Sequence, residues 1–208
     1  MTAVFITATG TDIGKTFLTA GLIRHIRGAG GAVAAIKPIV SGFDPGAWQG
    51  SDPAMLLAAL GRPVALEEVE RISPWRFKAP LSPHMAGKRE GRLIVFQDVV
   101  EFCRRSMAGN HGVLLIEGVG GIMTPLDGHR TTLDVMMALQ LPVILVSGTY
   151  RGAISHTLTA LDSLFRRDMN VLATIVSETP ASALPLDDVV SAISRFTAPV
   201  IGLPRTRV

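Results

Sequence analysis

The sequence has few of the features that mark secreted or membrane-bound proteins. Its 208 residues include one cysteine, Cys103, so an internal disulfide is excluded and a reducing compartment is expected. The apolar, helical surroundings of Cys103 favour a core position over a nucleophile. No apolar run approaches the roughly 20 residues of a membrane span. Because no basic segment or cleavage site precedes the first predicted strand, we expect no signal peptide and a cytoplasmic protein.

Lysine and net charge are also scarce. The net charge is only +3, and most basic residues are scattered arginines, which favours solvated helix faces over a nucleic-acid-binding surface. The lysines are at positions 15, 37, 78 and 88. Two of them, Lys15 and Lys37, stand at predicted strand ends. Since lysine is a compact charge whose pKa can shift, we interpret these two as residues used for chemistry.

Apolar segments of strand length alternate with amphipathic segments of helix length. The predicted strands are 2–7, 32–36, 112–116, 142–146, 171–176 and 199–201, and the predicted helices are 16–28, 53–60, 93–107, 132–140, 152–166 and 186–196. Residues 61–91 contain several prolines and predict a loop or lid over the active edge. The alternation predicts an α/β fold: a single domain, residues 1–208, with a doubly wound, mostly parallel sheet of six or seven strands flanked by helices.

The most informative stretch is residues 8–16, which read ATGTDIGKT. It lies between the first strand and the first helix, the order that a phosphate-binding loop requires. Lys15 would contact the terminal phosphates of a nucleotide and Thr16 would bind Mg²⁺, while backbone N–H groups hold the anionic oxygens. The common spacing puts a glycine at position 9, where this chain has Thr9. An ordinary Gly-Lys-Thr junction is the alternative, but the place after the first strand favours a P-loop NTPase fold.

Three charged residues are expected beside this loop. Lys37 ends the second strand and Glu117 follows the buried run VLLI, so both would lie at the carboxyl edge of the sheet, where ligands bind. A buried carboxylate is unfavourable unless paired or metal-bound, which favours Glu117 as a Mg²⁺ ligand. Asp52, in Ser51-Asp52-Pro53, has two interpretations, a helix N-cap or a Mg²⁺ ligand, and the local pattern favours the cap, with Pro53 as the first helical residue.

Motifs along most of the chain, in the same order, resemble those of the dethiobiotin synthetase family. They are residues 7–16, 37–42 (KPIVSG), 51–53 (SDP), 75–84, 116–121 (IEGVGG), 141–146 (LPVILV) and 151–156 (RGAISH). The resemblance implies an enzyme that uses MgATP, CO₂ or bicarbonate, and 7,8-diaminononanoate. Such an enzyme forms a carbamate on one amine and phosphorylates it to a carbamic-phosphoric anhydride. It then closes the cyclic urea of dethiobiotin and releases ADP and phosphate.

The resemblance also implies roles for individual residues. The catalytic residues would be Lys15, Lys37, Thr11 and Ser41, and the carbamate would contact Lys37 and Ser41. Mg²⁺ would be held by Thr16, Asp52 and Glu117, which favours the metal role for Asp52 over the cap. The nucleotide would be bound by Asp12, Ile13, Gly14, Lys15, Thr16, Phe17, Glu117, Gly118, Gly120, Ser177 and Pro204. The substrate carboxylate would meet the helix start Gly152, Ala153, Ile154 and Ser155, contributed by the second subunit of a homodimer.

Several residues depart from the family pattern. Ala8 replaces a glycine, Gly10 replaces the usual aspartate, and Asp12 stands where many members have glutamate. Ser155 replaces an asparagine of the substrate helix, and Ser177 stands where an asparagine often reads the base. These changes leave the phosphate chemistry intact, and they put nucleotide choice and recognition of the far end of the substrate in question.

Three alternative functions compete with this one. A cobyrinic acid amidating synthase needs a glutamine-amidotransferase domain with a nucleophilic cysteine, for which 208 residues leave no room. This chain has Gly10 where a partitioning-type ATPase carries a signature lysine. Such ATPases also tend to need a basic or amphipathic surface, and neither is seen in this sequence. A degenerate, non-catalytic phosphate-loop domain is the third alternative. Fold stability alone does not require the five residues Lys15, Thr16, Lys37, Asp52 and Glu117, which argues against it. We therefore expect small-molecule substrates and neither nucleic acid nor membrane as a partner.

Overall fold

Strands and helices alternate along the chain in the computed structural model, which describes residues 2–180, 182 and 184–205. The strands are β1 Thr2–Ala8, β2 Val33–Ile36, β3 Ile39–Ser41, β4 Trp75–Phe77, β5 Val113–Glu117, β6 Val143–Gly148, β7 Val171–Ser177 and β8 Val200–Leu203. The helices are α1 Lys15–Gly28, α2 Asp52–Leu60, α3 Leu66–Ile72, α4 Pro83–Glu90, α5 Phe96–Ala108, α6 Thr132–Leu139, α7 Ala153–Phe165 and α8 Leu186–Ser194. A short 3₁₀ helix, Trp48–Gly50, precedes α2.

Six strands form one parallel sheet in the order β2-β5-β1-β6-β7-β8. The central strand is β1, in which Phe5 is paired with Ile116 of β5 on one side and with Val143 of β6 on the other. From β1 the chain builds the sheet first toward β2 and later toward β8, which confirms the predicted doubly wound fold. Ligands of such sheets bind outside the carboxyl ends of the strands where the order reverses, which here is the end of β1.

The central strand is buried on both faces. Every residue from 3 to 8 is at most 7% exposed, and since neighbouring residues of a strand point to opposite faces, both faces of β1 are covered. Cys103, on α5, is fully buried, and burial raises the pKa of its thiol to about 12. This confirms its core position, because the nucleophilic form of cysteine is the thiolate. Within the described residues, no helix is long and apolar enough to cross a membrane.

The prediction of an irregular segment at 61–91 is wrong. This part of the chain forms α3, β4 and α4, and β4 pairs with β3 in a separate two-stranded parallel sheet. The prolines do not break these elements, because Pro83 lies in the first turn of α4, where its missing N–H is not needed. Likewise α5 begins at Phe96 rather than at the predicted residue 93. The stretch between β4 and α4 nevertheless borders the cleft described next.

Candidate active site

The phosphate-binding loop, residues 9–14, joins β1 to α1. Its start is fixed on the neighbouring strand, because the N–H of Thr9 donates to the carbonyl of Val146 at 2.9 Å. Gly14, the N-cap of α1, has φ of 99°, and a Cβ at this position would lie 2.6 Å from Oγ of Ser177. Both the backbone conformation and the lack of space therefore require glycine. No side chain of the described residues caps α1, so the N–H groups of its first turn are available to anionic oxygens.

Lys15 folds back over this loop. Its Nζ donates to the carbonyl of Gly10 at 2.8 Å, and the side chain is buried. Burial, assisted by the nearby charge of Lys37, lowers the pKa of Lys15 to about 8, against the opposing effect of Glu117 and other carboxylates. Lys15 therefore carries its positive charge at neutral pH and loses it at slightly alkaline pH.

Lys37 joins residues from three separate elements. It follows β2 directly, and its ammonium donates to the carboxylates of Asp52, at the start of α2, and of Glu117, at the end of β5. The distance to Glu117 Oε1 is 2.7 Å, and the hydroxyl of Thr16 donates to the same oxygen at 2.6 Å. Burial alone would lower the pKa of Lys37, but the two carboxylates outweigh it and raise this pKa. Burial alone would raise the pKa of Asp52, but the charge and hydrogen bond of Lys37, together with Thr16 and Lys15, outweigh burial and lower this pKa.

The structure corrects the local interpretation of Asp52 as a helix cap. Helix α2 begins at Asp52 itself, Ser51 occupies the N-cap position, and Pro53 is the second helical residue rather than the first. The carboxylate of Asp52 is paired with Lys37. The tripeptide pattern could not distinguish these cases, because the contact that decides between them joins residues 15 positions apart in the sequence.

One oxygen of Glu117 has no hydrogen-bond partner within the described part of the chain. This residue is 0% exposed, and Oε2 is the unpaired atom. A buried, unpaired carboxylate oxygen suits a hard cation. Mg²⁺ commonly takes one or two carboxylates and keeps waters and substrate phosphates as its other ligands, so the oxygens of Thr16, Asp52 and Glu117 fit this ion. Among the described residues no cluster of three or more His, Cys, Asp or Glu side chains provides a complete cage.

A cleft of about 840 Å³ borders this cluster. The predicted site residues that line it are Thr11, Asp12, Gly14, Lys15, Thr16, Phe17, Lys37, Ser41, Asp52 and Gly120. Oγ of Ser41 is buried and has no partner among the described residues, so it is available to a ligand. Residues 80–82, between β4 and α4, and Pro83, the first residue of α4, also line the cleft. The structure thus brings both lysines, the loop and the carbamate-binding candidates to one cleft.

Other predicted nucleotide-binding residues lie outside the lining of this cleft. Glu117 is fully buried and is linked to the cleft through Lys37 and Thr16, and Gly118 follows it in the chain. Ile13 lines a neighbouring cleft. Ser177 ends β7 beside Gly14, and Pro204 comes directly after Leu203, the residue of β8 opposite Ser177. These last residues share one place, the carboxyl end of the β7–β8 pair.

The predicted substrate helix is α7. Gly152 is its N-cap, with φ of 87°, and Ala153, Ile154 and Ser155 form its first turn. None of these four residues lines the 840 Å³ cleft. The neighbouring cleft, of about 830 Å³, lies between the phosphate loop and the start of α7, where Arg151 and His156 line it. Within one chain, the candidate carboxylate site is therefore separate from the two lysines.

Sequence reasoning missed Tyr150 and Thr124. The hydroxyl of Tyr150 is hydrogen-bonded to Oγ1 of Thr9 at 3.0 Å and to Nδ1 of His156 at 3.1 Å, which ties the phosphate loop to α7. Oγ1 of Thr124 accepts from the N–H of Gly121 at 2.8 Å and lines the cleft. A signal was present for Tyr150, because it is the single tyrosine of the sequence and follows a predicted strand at the active edge.

Relatives of known name match nearly the whole chain. A family model described as an AAA domain matches residues 2–204. The chain is 47% identical to an ATP-dependent dethiobiotin synthetase of Caulobacter sp. strain K31, covering 99% of this chain and 89% of the relative. The enzyme of the same name from Methylobacterium nodulans is 46% identical, covering 94% and 89%. A more distant one, from Anaeromyxobacter dehalogenans, is 34% identical over 98% and 90%.

Solved structures similar to this chain share its fold at low sequence identity. The MinC:MinD cell division protein complex of Aquifex aeolicus has a TM-score of 0.55 at 14% identity, covering 98% of this chain and 81% of that one. A nucleotide-binding protein of Archaeoglobus fulgidus in complex with ADP has a TM-score of 0.51 at 15% identity, with the same coverage. Such likeness shows the P-loop NTPase fold alone, and it does not favour the partitioning-type alternative.

The sequence relatives are far closer than these structural neighbours. They cover 94–99% of the chain at identities of 34–47%, and they carry one name. The chain belongs to the AAA domain family and, within it, to the family of ATP-dependent dethiobiotin synthetases.

Proposed function

We propose that this protein uses MgATP to convert 7,8-diaminononanoate and CO₂ into dethiobiotin, with release of ADP and phosphate. Family membership supports the reaction, and one observation supports its location: the 840 Å³ cleft is lined by a phosphate loop and by two buried lysines, Lys15 and Lys37. The reaction brings a triphosphate and a carbamate together, so its transition states gather negative charge. Fixed positive charges with little solvent around them stabilise such states.

The chemistry proceeds in three steps. One substrate amine attacks CO₂ and loses a proton, which leaves a carbamate. A carbamate oxygen then attacks the γ-phosphorus of ATP, and the bond to ADP breaks. Finally the second amine attacks the carbamate carbon and loses a proton, phosphate leaves with the former carbamate oxygen, and the urea ring closes. The protein supplies positioning and charge rather than a covalent intermediate.

The cleft residues divide between phosphate and carbamate in this proposal. Thr11, on the loop, and Lys15, the first residue of α1, bind the phosphates. Lys37 and Ser41 bind the carbamate oxygens, for which the unpaired Oγ of Ser41 is suited. Oxygens of Thr16, Asp52 and Glu117 hold Mg²⁺, which neutralises charge on the phosphates when it is bound. This division explains why so many charges are kept at a buried edge of the sheet.

The nucleotide extends from this cleft along the loop in our proposal. Residues 12–17 surround the phosphates. Gly118 and Gly120 allow the nucleotide to approach the backbone closely, and Ser177 and Pro204 lie near the base. The positions of Ser177 and Pro204 at one end of the β7–β8 pair support a shared role. We assign recognition of the base to these two residues, although this chain has Ser177 where family members often have an asparagine.

The substrate carboxylate is assigned to the start of α7 in the partner subunit of a homodimer. Residues 152–155 do not line the cleft of their own chain, which supports a contribution to the cleft of a second copy. Free N–H groups at a helix start suit a carboxylate. The proposal also takes residues 1–208 as one domain working in the cytoplasm.

The test is product formation by the purified protein with MgATP, bicarbonate and 7,8-diaminononanoate. We expect mass spectrometry to detect the cyclic urea only when all three are present. ATP hydrolysis without this product would reject the proposed substrate while keeping the nucleotide chemistry. Cross-linking and light scattering of the same preparation report whether the dimer exists.

A further inference from the structure

The position of Lys37 is unusual for a residue that must reach a substrate. Lys37 is only 4% exposed. Its ammonium is paired with Asp52 and Glu117, the same two carboxylates that fit Mg²⁺. Glu117 Oε1 already accepts from Lys37 and from Thr16. A divalent cation on the same two carboxylates would lie close to the Lys37 ammonium, which contacts Oδ2 of Asp52 and Oε1 of Glu117.

Two cations bound to this pair of carboxylates destabilise each other. An ammonium and a divalent metal ion repel each other strongly at a buried site, where solvent screens little. This repulsion favours release of the oxygens that Lys37 occupies when the metal binds. The partner-free Oε2 of Glu117 offers the metal a first contact before that release.

We propose that the Lys37 ammonium and the divalent cation are alternative occupants of the Asp52–Glu117 pair, so that metal binding releases Lys37 toward the substrate. This inference rests on the proposed function for the destination of Lys37, but the exchange itself concerns the metal alone. Asp52 thereby acts as a positioning residue for Lys37 before the metal binds and as a metal ligand afterwards.

The exchange requires movement of one side chain and no change in the sheet. The backbone N–H of Lys37 donates to the carbonyl of Ile72 at 3.0 Å, which holds the main chain. The flexible four-carbon stem of a lysine can carry its charge by several ångströms. Ser41 lines the same cleft as Lys37 and contacts the carbamate in the proposed function. The release of Lys37 therefore couples metal loading to carbamate binding.

The first test measures metal affinity without nucleotide. Lys37→Met keeps an apolar stem and removes the competing charge, so we expect Mn²⁺, followed by electron paramagnetic resonance, to bind this variant at least tenfold more tightly than wild type. Lys78→Met, at an exposed lysine, is the matched control and should bind as wild type does. Equal, weaker or undetectable binding in Lys37→Met would overturn the exchange.

The second test uses the unaltered protein, since removal of one member of a buried ion pair can destabilise the fold. With only the lysines at positions 15, 37, 78 and 88, ¹⁵N-lysine labelling gives few Nζ resonances. We expect Mg²⁺ to shift the Lys37 signal, relative to NaCl of equal ionic strength, while Lys78 and Lys88 stay fixed. An unmoved Lys37 signal at Mg²⁺ concentrations that displace bound Mn²⁺ would refute the proposal.

These tests are separable from the proposed reaction. Metal-dependent release of Lys37 in a protein that makes no cyclic urea would support the exchange and reject the proposed function. Cyclic urea formation with no competition between Lys37 and the metal would support the proposed function and reject the exchange.

Discussion

The two halves of the main sheet hold different kinds of buried polar groups. In the half formed by β2, β5 and β1, the strand ends lead to Lys37, Glu117 and Lys15, which are the buried charged side chains of the described residues. In the half formed by β6, β7 and β8, the buried polar side chains are hydroxyls, such as Ser147 and Thr149. The same fold therefore carries charge on one side and neutral groups on the other.

Two buried hydroxyl groups of the second half, those of Ser147 and Thr149, are paired within the chain, whereas Oγ1 of Thr174 on β7 has no partner among the described residues. Ser147 is hydrogen-bonded to Thr157 at 2.5 Å, and Thr149 to Thr179 at 3.1 Å. The charged groups of the first half also contact one another, but Oε2 of Glu117 lacks a partner there. A buried group that is fully paired within the chain stabilises the scaffold, whereas a buried charge with spare capacity indicates a ligand. By this criterion Ser147 and Thr149 belong to the scaffold, and the charged Glu117 belongs to the candidate site.

We expect the largest loss of turnover when the shape of a charged group in the first half is changed and its charge is kept. Lys37→Arg keeps the positive charge but replaces a compact ammonium by a bulkier fork, so we expect kcat to fall by about 100-fold or more. Steady-state turnover with saturating substrates measures this. The control is Lys78→Arg, on the exposed surface, which should be unchanged. Turnover near wild type in Lys37→Arg would leave no specific role for Lys37.

A smaller loss should follow from neutralising the carboxylate of this half. Glu117→Gln removes ionic attraction to Mg²⁺ while keeping the shape, so we expect turnover to fall about tenfold to 100-fold, with more Mg²⁺ needed for half-maximal rate. A Mg²⁺ titration of the rate is the measurement, with circular dichroism to monitor folding. Glu101→Gln, at an exposed residue of α5, serves as the control. An unaltered titration would remove Glu117 from the metal ligands.

The first half should also respond to pH, because burial lowers the pKa of Lys15 to about 8. A lowered pKa means that the ammonium loses its proton at a lower pH than usual, so nucleotide affinity falls as pH rises. Between pH 7 and 9 the charged fraction falls about tenfold, and we expect calorimetry with a non-hydrolysable ATP analogue to show a decrease of up to that size. Lys15→Arg, which stays charged, should bind less tightly but without this decrease. A decrease of equal size in the variant would assign it to another group.

The smallest effect is expected in the second half. Ser147→Ala removes a paired hydroxyl and should lower the free energy of unfolding by about 1 kcal/mol while leaving kcat within about twofold. Urea denaturation measures the first and steady-state kinetics the second. Ser194→Ala, at an exposed residue of α8, should change stability by less than about 0.5 kcal/mol. A large loss of turnover at unchanged stability would move Ser147 from scaffold to site.

Local patterns predicted much of this molecule correctly. The apolar runs became the strands of the main sheet, and the loop of residues 9–14 stands between β1 and α1 as predicted. The shared edge of Lys37 and Glu117 followed from one rule, that parallel strands present their carboxyl ends together. The prediction failed at residues 61–91, where proline was interpreted as a breaker although Pro83 starts a helix. The functional roles of the site residues stay predictions.

The amino-acid sequence by itself determined the order of the strands in the main sheet along the chain, the doubly wound fold and the family, because these depend on short-range periodicity and on motifs of a few residues. Only the tertiary structure decided what the charges do to one another. Glu117 contacts Lys37 across 80 residues of chain and Thr16 across 101, and Tyr150 reaches Thr9 across 141. Such contacts depend on the packing of whole elements, which no local pattern encodes. For this reason the pairing of Lys37 with Asp52, and with it the competition between lysine and metal, is visible only in the folded chain.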